Sequence, residues 1–365
     1  MPGPILGVVG RWFLQPAPAS MDRATLRPVK RLLPLVAAVA VLLGTVSLVY
    51  PFGRDQGNYG YAGWVVLEGG APYADVFVFK PPATVLVHAL SMAVFGVNTW
   101  GIRVLDLGWS ALSAVAVAAV VHALVRRELE AALAGCLWPF LYYQVDYWNI
   151  AQTDGWMGLP ITLALLAAVH ADVEGRRAWL LWGASGLALG AAASFKYTAL
   201  AAVLPLLVIG AAQLRARGRP AAAGIPAFLA GLVLVPLLLA AWLAAMGAWD
   251  DFLATQADLI PGYVDQAHDR RGWSRALHRP FELNGPQTDI APLLFGGLGA
   301  LLPAGVLLRR QRVALAVLLA WWVAAFTSLV AQGRYFDYHY LVLVAPSAAL
   351  LGVALAAPVR ALSQR

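Results

Sequence analysis

Cysteine and charge are the two things this 365-residue chain has least of. Its single cysteine, Cys136, lies in an apolar run with no second thiol to join, which excludes a disulfide framework and a cysteine-based metal site. What remains for it is the role of a small packed side chain. Charged residues make up only 12% of the sequence against 61% hydrophobic ones, too few to clothe a soluble domain. Two further absences matter: no period of about 20 to 50 residues, which excludes a solenoid, and no Gly/Ser-rich linker, which leaves one domain over residues 31–365.

What is present is apolar length. A mean hydropathy of +0.70, 14 tryptophans and runs long enough to cross about 30 Å of hydrocarbon predict an all-α polytopic membrane protein. About ten crossings are expected, at 31–51, 102–125, 129–145, 156–172, 178–194, 198–213, 221–246, 291–308, 312–331 and 339–357. The net charge of +7 then sets topology and does not call for a nucleic-acid partner. With a cytoplasmic N-terminus, the clusters Arg126-Arg127, Arg176-Arg177, Arg215/Arg217/Arg219, Arg309-Arg310/Arg312 and Arg360/Arg365 all fall inside, as the positive-inside bias requires. Both termini are therefore expected in the cytoplasm. The agreement needs the short apolar segment Pro82 to Phe95 to lie along the membrane surface without crossing. Residues 1–30 are expected to form a cytoplasmic segment without fixed structure; the apolar stretch near Met1 makes a poor signal peptide, and Met21 is an alternative start.

The polar residues that the inner loops lack gather on the outer side. The first outer loop, 52–100, carries Arg54, Asp55, Tyr59, Glu68, Tyr73, Asp75 and Lys80; the second, 146–155, carries Asp146, Asn149, Gln152 and Asp154. A short "SFKYT" turn adds Lys196, a long loop over 247–290 adds Arg270 and Arg271, and "QGRYFDYHY" adds Arg334, Tyr335 and His339. Ionisable residues at the membrane plane are costly unless they are solvated or used. Two carboxylates and several cations at that depth suit transfer of a group from a lipid-linked phosphate. One carboxylate removes the proton of an acceptor hydroxyl, while Lys and Arg steady the departing phosphate oxygens. Such a phosphate leaves readily, so the acid-and-base carboxylate pair of a glycoside hydrolase is not needed.

At "RDQGNYGYAGWVVLEGGAPYADVFVFKPP" the chain resembles the first outer loop of GT-C-type integral membrane glycosyltransferases. The group includes the lipid A aminoarabinose transferases, the protein O-mannosyltransferases and bacterial dolichyl-phosphate-mannose-protein mannosyltransferase-like proteins. Weaker echoes follow in the "Ile-Arg-Val" at 102–104, the acid opening the fourth span, "GLALGAAASFKYTAL" and "GRYFDYHYLVLVAP". The resemblance implies a GT-C-like helical bundle, a polyprenyl-phosphate sugar donor and inversion at the anomeric carbon. Residue by residue it implies Asp55 as catalytic base or acceptor-positioning carboxylate, Lys80 as a contact of the lipid phosphate, and Asp154 as a second acid that helps form the acceptor site. No long hydrophilic C-terminal domain is seen, so a lipid or glycan acceptor is expected ahead of a protein. The "HDRRGWSRALHRP" segment has no counterpart in the pattern.

Each candidate has a plainer alternative: helix capping for Asp55 and Asp154, interfacial snorkelling for Lys80, contact with anionic headgroups for Arg270 and Arg271. Lys196 and Arg334 are further candidates for the donor phosphate, and Tyr59, Glu68, Tyr73, Tyr335 and His339 for a sugar. A lone Asp-x-His at Asp337 and His339 is weak grounds for a metal site, so no metal ligands are assigned and a divalent cation is left open. The rival reading is a transporter or flippase of lipid-linked substrates, but the polar residues collect at one face and the two halves show no inverted repeat. The Ala, Gly and Arg-rich composition suggests a bacterial inner membrane with the site on the periplasmic face.

Overall fold

The structure, a computed structural model, describes residues 23–173, 175–217, 224–267, 272–281 and 290–363. Helices α1 (Arg23–Gly44), α2 (Arg54–Leu67), α3 (Ala83–Phe95), α4 (Gly101–Val125), α5 (Glu128–Tyr143), α6 (Thr153–Trp156), α7 (Gly158–His170) and α8 (Gly175–Phe195) form the first half. The second half runs through α9 (Val203–Arg217), α10 (Gly224–Ala245), α11 (Trp249–Leu253), α12 (Ile260–Ala267), α13 (Gly272–His278), α14 (Gly297–Leu307), α15 (Arg312–Ala331) and α16 (Val344–Ser363). An isolated bridge between Pro72 and Val76 is the only β pairing among the described residues.

Among the described residues, seven stretches are long and apolar enough to cross a bilayer: Leu32–Val49, Gly101–Val125, Gly175–Phe195, Tyr197–Ala216, Gly224–Ala245, Arg312–Ala331 and Asp337–Leu362. The protein is an integral membrane protein. The other three expected crossings fall on shorter apolar helices: α5 (16 residues), α7 (13 residues) and the Pro292–Leu307 segment that contains α14. The segment expected not to cross is also helical, α3, with 13 residues. The 25 residues of α4 rise about 37 Å, enough for the hydrocarbon with a turn to spare. Asn98 starts α4 by accepting the Gly101 N–H at 2.7 Å, and Arg126 ends it in the left-handed conformation, φ 59°, donating to His122 at 2.8 Å.

The core lies where α4, α5, α7, α15 and α16 meet, and α16 belongs to the most buried span of all. At one end of the bundle Glu130 of α5 is fully buried and accepts both guanidinium nitrogens of Arg360 on α16, at 2.9 and 3.0 Å, and Arg127 at 3.2 Å. That end is the one the arginine clusters mark. The opposite end gathers the close of α8, the close of α15, the start of α4 and the short α6.

Helices α8 and α10 approach so closely that their backbones touch. A Cβ at Gly186 would lie 1.9 Å from the Phe228 carbonyl oxygen, one at Gly190 2.3 Å from that of Leu232, and one at Gly231 2.2 Å from that of Gly183. Without a hydrophobic driving force in lipid, such small-residue contacts are what hold helices together. Gly186→Ala is therefore expected to lower the unfolding midpoint in detergent, at a cost of about 1–3 kcal/mol. Gly299→Ala, on α14 where a Cβ meets nothing, is expected to leave it unchanged or slightly raised. Equal midpoints for the two variants would refute close backbone packing of α8 on α10.

Candidate functional site

The loop that follows the first span begins with a tightly closed turn. Gly53 is the N-cap of α2, and its N–H donates to the Gln56 side chain at 2.7 Å. Asp55 sits in the first turn of α2, half-buried, and is not the residue that caps it. One turn on, Tyr59 is buried on the same face, within electrostatic range of both Asp55 and Asp154. Burial first, then the Asp55 charge, holds the Tyr59 phenol well above its ordinary range, so it stays protonated.

The far part of the loop is built around Lys80. Tyr73, at φ 75°, donates its hydroxyl to the Lys80 carbonyl at 2.6 Å, and Gln256 donates to the Phe79 carbonyl at 3.3 Å. Tyr73 also meets Phe252 edge-on at 5.1 Å, within a small apolar cluster that joins Ala71, Val76 and Val78 to Leu243 and Ala248. This pins the backbone of 73–80 to the α10–α11 corner. The half-buried Lys80 side chain comes up beside Lys196.

At the centre is a buried polar triad. The Lys196 ammonium donates to Asp154 Oδ2 at 2.7 Å and to Gln332 Oε1 at 2.5 Å, and Gln332 Nε2 donates to Asp154 Oδ1 at 2.9 Å. Asp154 is fully buried and its N-cap position is occupied by Gln152, so its carboxylate serves the ion pair and not the helix end. Burial draws the Lys196 ammonium down to about 7, against Asp154, which holds it up; Lys80 pushes it down further. His339 and Tyr338 cover the triad, with the Lys196 ammonium 5.9 Å from the Tyr338 ring centre. Among the described residues, neither Asp55 nor Lys80 has an oppositely charged partner in an ion pair.

Just beneath, a narrow cleft of about 10 Å³ is lined by residues of α7, the 3₁₀ turn Tyr197–Ala202, α15 and the Asp337–Leu343 turn, Ile161, Trp321 and Val342 among them. The hydroxyls of Thr198 and Ser328 line it, and neither has a hydrogen-bond partner.

Sequence reasoning passed over a second layer. Arg103 and Asp106 lie one turn apart in α4, wholly buried. Arg103 donates to the Pro51 carbonyl at 2.5 Å, to Gln56 Oε1 at 2.8 Å and to the Tyr147 carbonyl at 3.3 Å. Asp106 Oδ1 accepts from the Tyr142 hydroxyl at 2.7 Å and from Trp156 Nε1 at 2.8 Å. The signal that would have found them is an Arg-x-x-Asp inside an apolar run, where ionisable groups are expensive.

Of the predicted residues, Asp55, Tyr59, Lys80, Asp154, Lys196 and His339 are therefore brought together. Others are not. Glu68 is exposed at the close of α2, and Tyr73 and Tyr335 spend their hydroxyls on the carbonyls of Lys80 and Gly272. Arg334 stacks 3.8 Å over the Tyr263 ring and donates to its carbonyl at 2.6 Å. Arg270 and Arg271 lie outside the described residues, as do residues 1–22. Among the described residues, no cluster of three or more His, Cys, Asp or Glu side chains is arranged to hold a metal ion.

With this geometry in hand, the comparisons are specific about fold. ArnT from Cupriavidus metallidurans, solved with undecaprenyl phosphate, superposes with a TM-score of 0.62 over 88% of this chain at 18% identity. The fold is GT-C-like. The archaeal oligosaccharyltransferase AglB from Archaeoglobus fulgidus shares it, with a TM-score of 0.54 over 94% of the chain at 14% identity in its complex with an inhibitory peptide and dolichol phosphate. The zinc and sulfate complex of the oligosaccharyltransferase from the same organism gives 0.54 over 91% at 15% identity. The GT-C-like chain spans 59% of the length of ArnT and 52% of AglB. Residues 79–244 match the dolichyl-phosphate-mannose-protein mannosyltransferase family, a region that contains Lys80, Asp154 and Lys196. No curated protein matches by sequence.

The buried pair within this GT-C-like bundle makes a clear demand. Lys196→Met strands the Asp154 carboxylate and is expected to cost about 3–5 kcal/mol in chemical unfolding. Adding Asp154→Leu should recover most of that loss, and a strictly additive double variant would refute direct coupling.

Proposed function

We propose that the protein is a membrane glycosyltransferase that moves a sugar from a polyprenyl-phosphate carrier to an acceptor hydroxyl at the outer face of the membrane, with Asp55 as general base. The observation that carries this reading is the convergence of an unpaired carboxylate, Asp55, with two adjacent ammonium groups, Lys80 and Lys196, of which only Lys196 is balanced by a carboxylate. Two lysines side by side beside one buried Asp leave a net positive hollow that an anion relieves. The lipid phosphates bound by ArnT and AglB support a phosphate-bearing carrier as that anion.

The reaction is a single displacement. Asp55 takes the proton of the acceptor hydroxyl while the acceptor oxygen attacks C1 of the sugar from the face opposite the phosphate. The bond from C1 to the phosphate oxygen breaks, its electron pair leaves with the polyprenyl phosphate, and the anomeric centre inverts. Lys80 meets the new charge on the phosphate, with Lys196 behind it. Tyr59, protonated, and His339 line the sugar, and Asp154 helps form the acceptor side while holding Lys196.

The acceptor is a lipid or glycan hydroxyl, and no cofactor is required by the step as written. The positive-inside pattern supports both termini in the cytoplasm and the site on the opposite face, which in a bacterial inner membrane is the periplasmic one, and the chain is read as a single domain over 31–365.

Purified protein in lipid should transfer radiolabelled sugar from one member of a polyprenyl-phosphate panel. Asp55→Asn is expected to reduce kcat by about a hundredfold or more, and Lys80→Ala to reduce kcat/KM by about tenfold to a hundredfold. Donor binding without release of lipid phosphate, unchanged in Asp55→Asn, would instead indicate a flippase. A pH profile gives a separate check. With its ammonium drawn down from the ordinary lysine value to about 7, Lys196 is charged below that pH and loses its proton above it, so transfer should decline as pH rises through about 7. Lys196→Arg should move that decline to higher pH; an unmoved decline removes Lys196 from the phosphate site.

A further inference from the structure

The buried charges of α4 make no ion pair with each other, which is an unusual way to spend two ionisable groups inside a membrane span. Their polar atoms go outward instead, to two different loops. Arg103 reaches Pro51 and Gln56, the residues that bracket the turn carrying Asp55, and Gln56 in turn donates to the Ile150 carbonyl at 2.5 Å. Asp106 reaches Trp156, two residues beyond Asp154, and Tyr142, whose hydroxyl accepts the N–H of Ala151 at 2.9 Å. Ala151 is held there at φ 53°, in the left-handed region that a side chain rarely adopts. Trp109, one turn further along α4, donates to the Trp156 carbonyl at 3.0 Å and completes the grip on α6.

Two loops that share no covalent connection shorter than a whole helical hairpin are thus hung from one turn of one helix. We propose that Arg103 and Asp106 are positioning residues that hold the Asp55 turn and the Asp154 turn at a fixed separation, so that base and acceptor site stay in register. The proposal rests on the glycosyltransferase reading for its catalytic consequence, but the separation itself is measurable without turnover. The Lys80 arm of the first loop is pinned elsewhere, by Tyr73 and Gln256. Loss of the α4 grip therefore weakens the chemical step and spares donor binding.

The test uses full-length protein with Cys136→Ser and spin labels on Gly57→Cys and Gly158→Cys, two positions where a Cβ meets no neighbour; a control pair uses positions 158 and 305, and kcat and KM are measured on the same variants without the label cysteines. Distances come from pulsed electron resonance. Arg103→Lys keeps the charge, but one ammonium does not span three acceptors in two loops. It should broaden the 57–158 distribution, leave 158–305 unchanged, and lower kcat by about a hundredfold with the donor KM within about threefold. Asp106→Leu should do the same, while Asp106→Asn, which keeps an acceptor oxygen for Tyr142 and Trp156, should stay within about threefold of the parent. The proposal is overturned if Arg103→Lys leaves the 57–158 distribution and kcat unchanged, if both label pairs broaden alike, or if donor KM rises while kcat holds. Should the parent protein transfer no sugar at all, the glycosyltransferase reading fails and the label distances alone decide the positioning role.

Discussion

The contact on which the site end of this bundle depends is the buried pair of Lys196 and Asp154, closed by Gln332. It joins three parts of the chain that are far apart in sequence: the short α6, the close of α8 and the close of α15. Removing two charges from water costs more than their attraction returns unless every remaining polar atom is matched. Here both carboxylate oxygens are taken, one by the ammonium and one by the amide, and the amide's own oxygen goes back to the ammonium. Such an arrangement adds little net stability, but it allows only one geometry. The rest of the site inherits that geometry, since Tyr338, His339 and Lys80 all pack around the triad.

Around this fixed point the chain relies on irregular backbone at helix ends. Lys196 and Gln332 are each followed within a few residues by a 3₁₀ segment, Tyr197–Ala202 and Asp337–Leu343, before a regular helix resumes. Tyr73, Ala151 and Tyr335 hold left-handed backbone in the loops nearby, and their strain is tolerated because side-chain hydrogen bonds fix their surroundings. Regular helices supply the walls, and polar side chains borrowed from them fix the loops.

Much of this was legible in the sequence. Apolar length located the crossing segments and the short apolar α3, because the cost of exposed backbone in lipid leaves helices as the answer for such runs. The loop motif brought out Asp55 and Lys80, and charge at helix ends brought out Asp154 and Lys196. What hydropathy did not resolve was length: α5 and α7 are 16 and 13 residues, since Arg126-Arg127 precede the one and the 171–173 turn ends the other. Gln56 and Gln332 were invisible for a different reason. A glutamine carries no charge to attract notice, and its value here lies in donating and accepting at once, which only the folded neighbours reveal. Arg103 stood in plain view within Ile-Arg-Val, yet its three acceptors come from residues 51, 56 and 147, which no local pattern connects.

The Glu130 clamp has a consequence for the order in which the molecule is made. Glu130 is synthesised 230 residues ahead of its bidentate partner, Arg360. The span that carries Arg360 is also the most deeply buried of all, seated against α5 and α14. Until it emerges, the earlier helices surround a vacant groove with a carboxylate at its rim that Arg127 alone meets. The span that carries Arg360 therefore closes this groove only after the helices it packs against have been made.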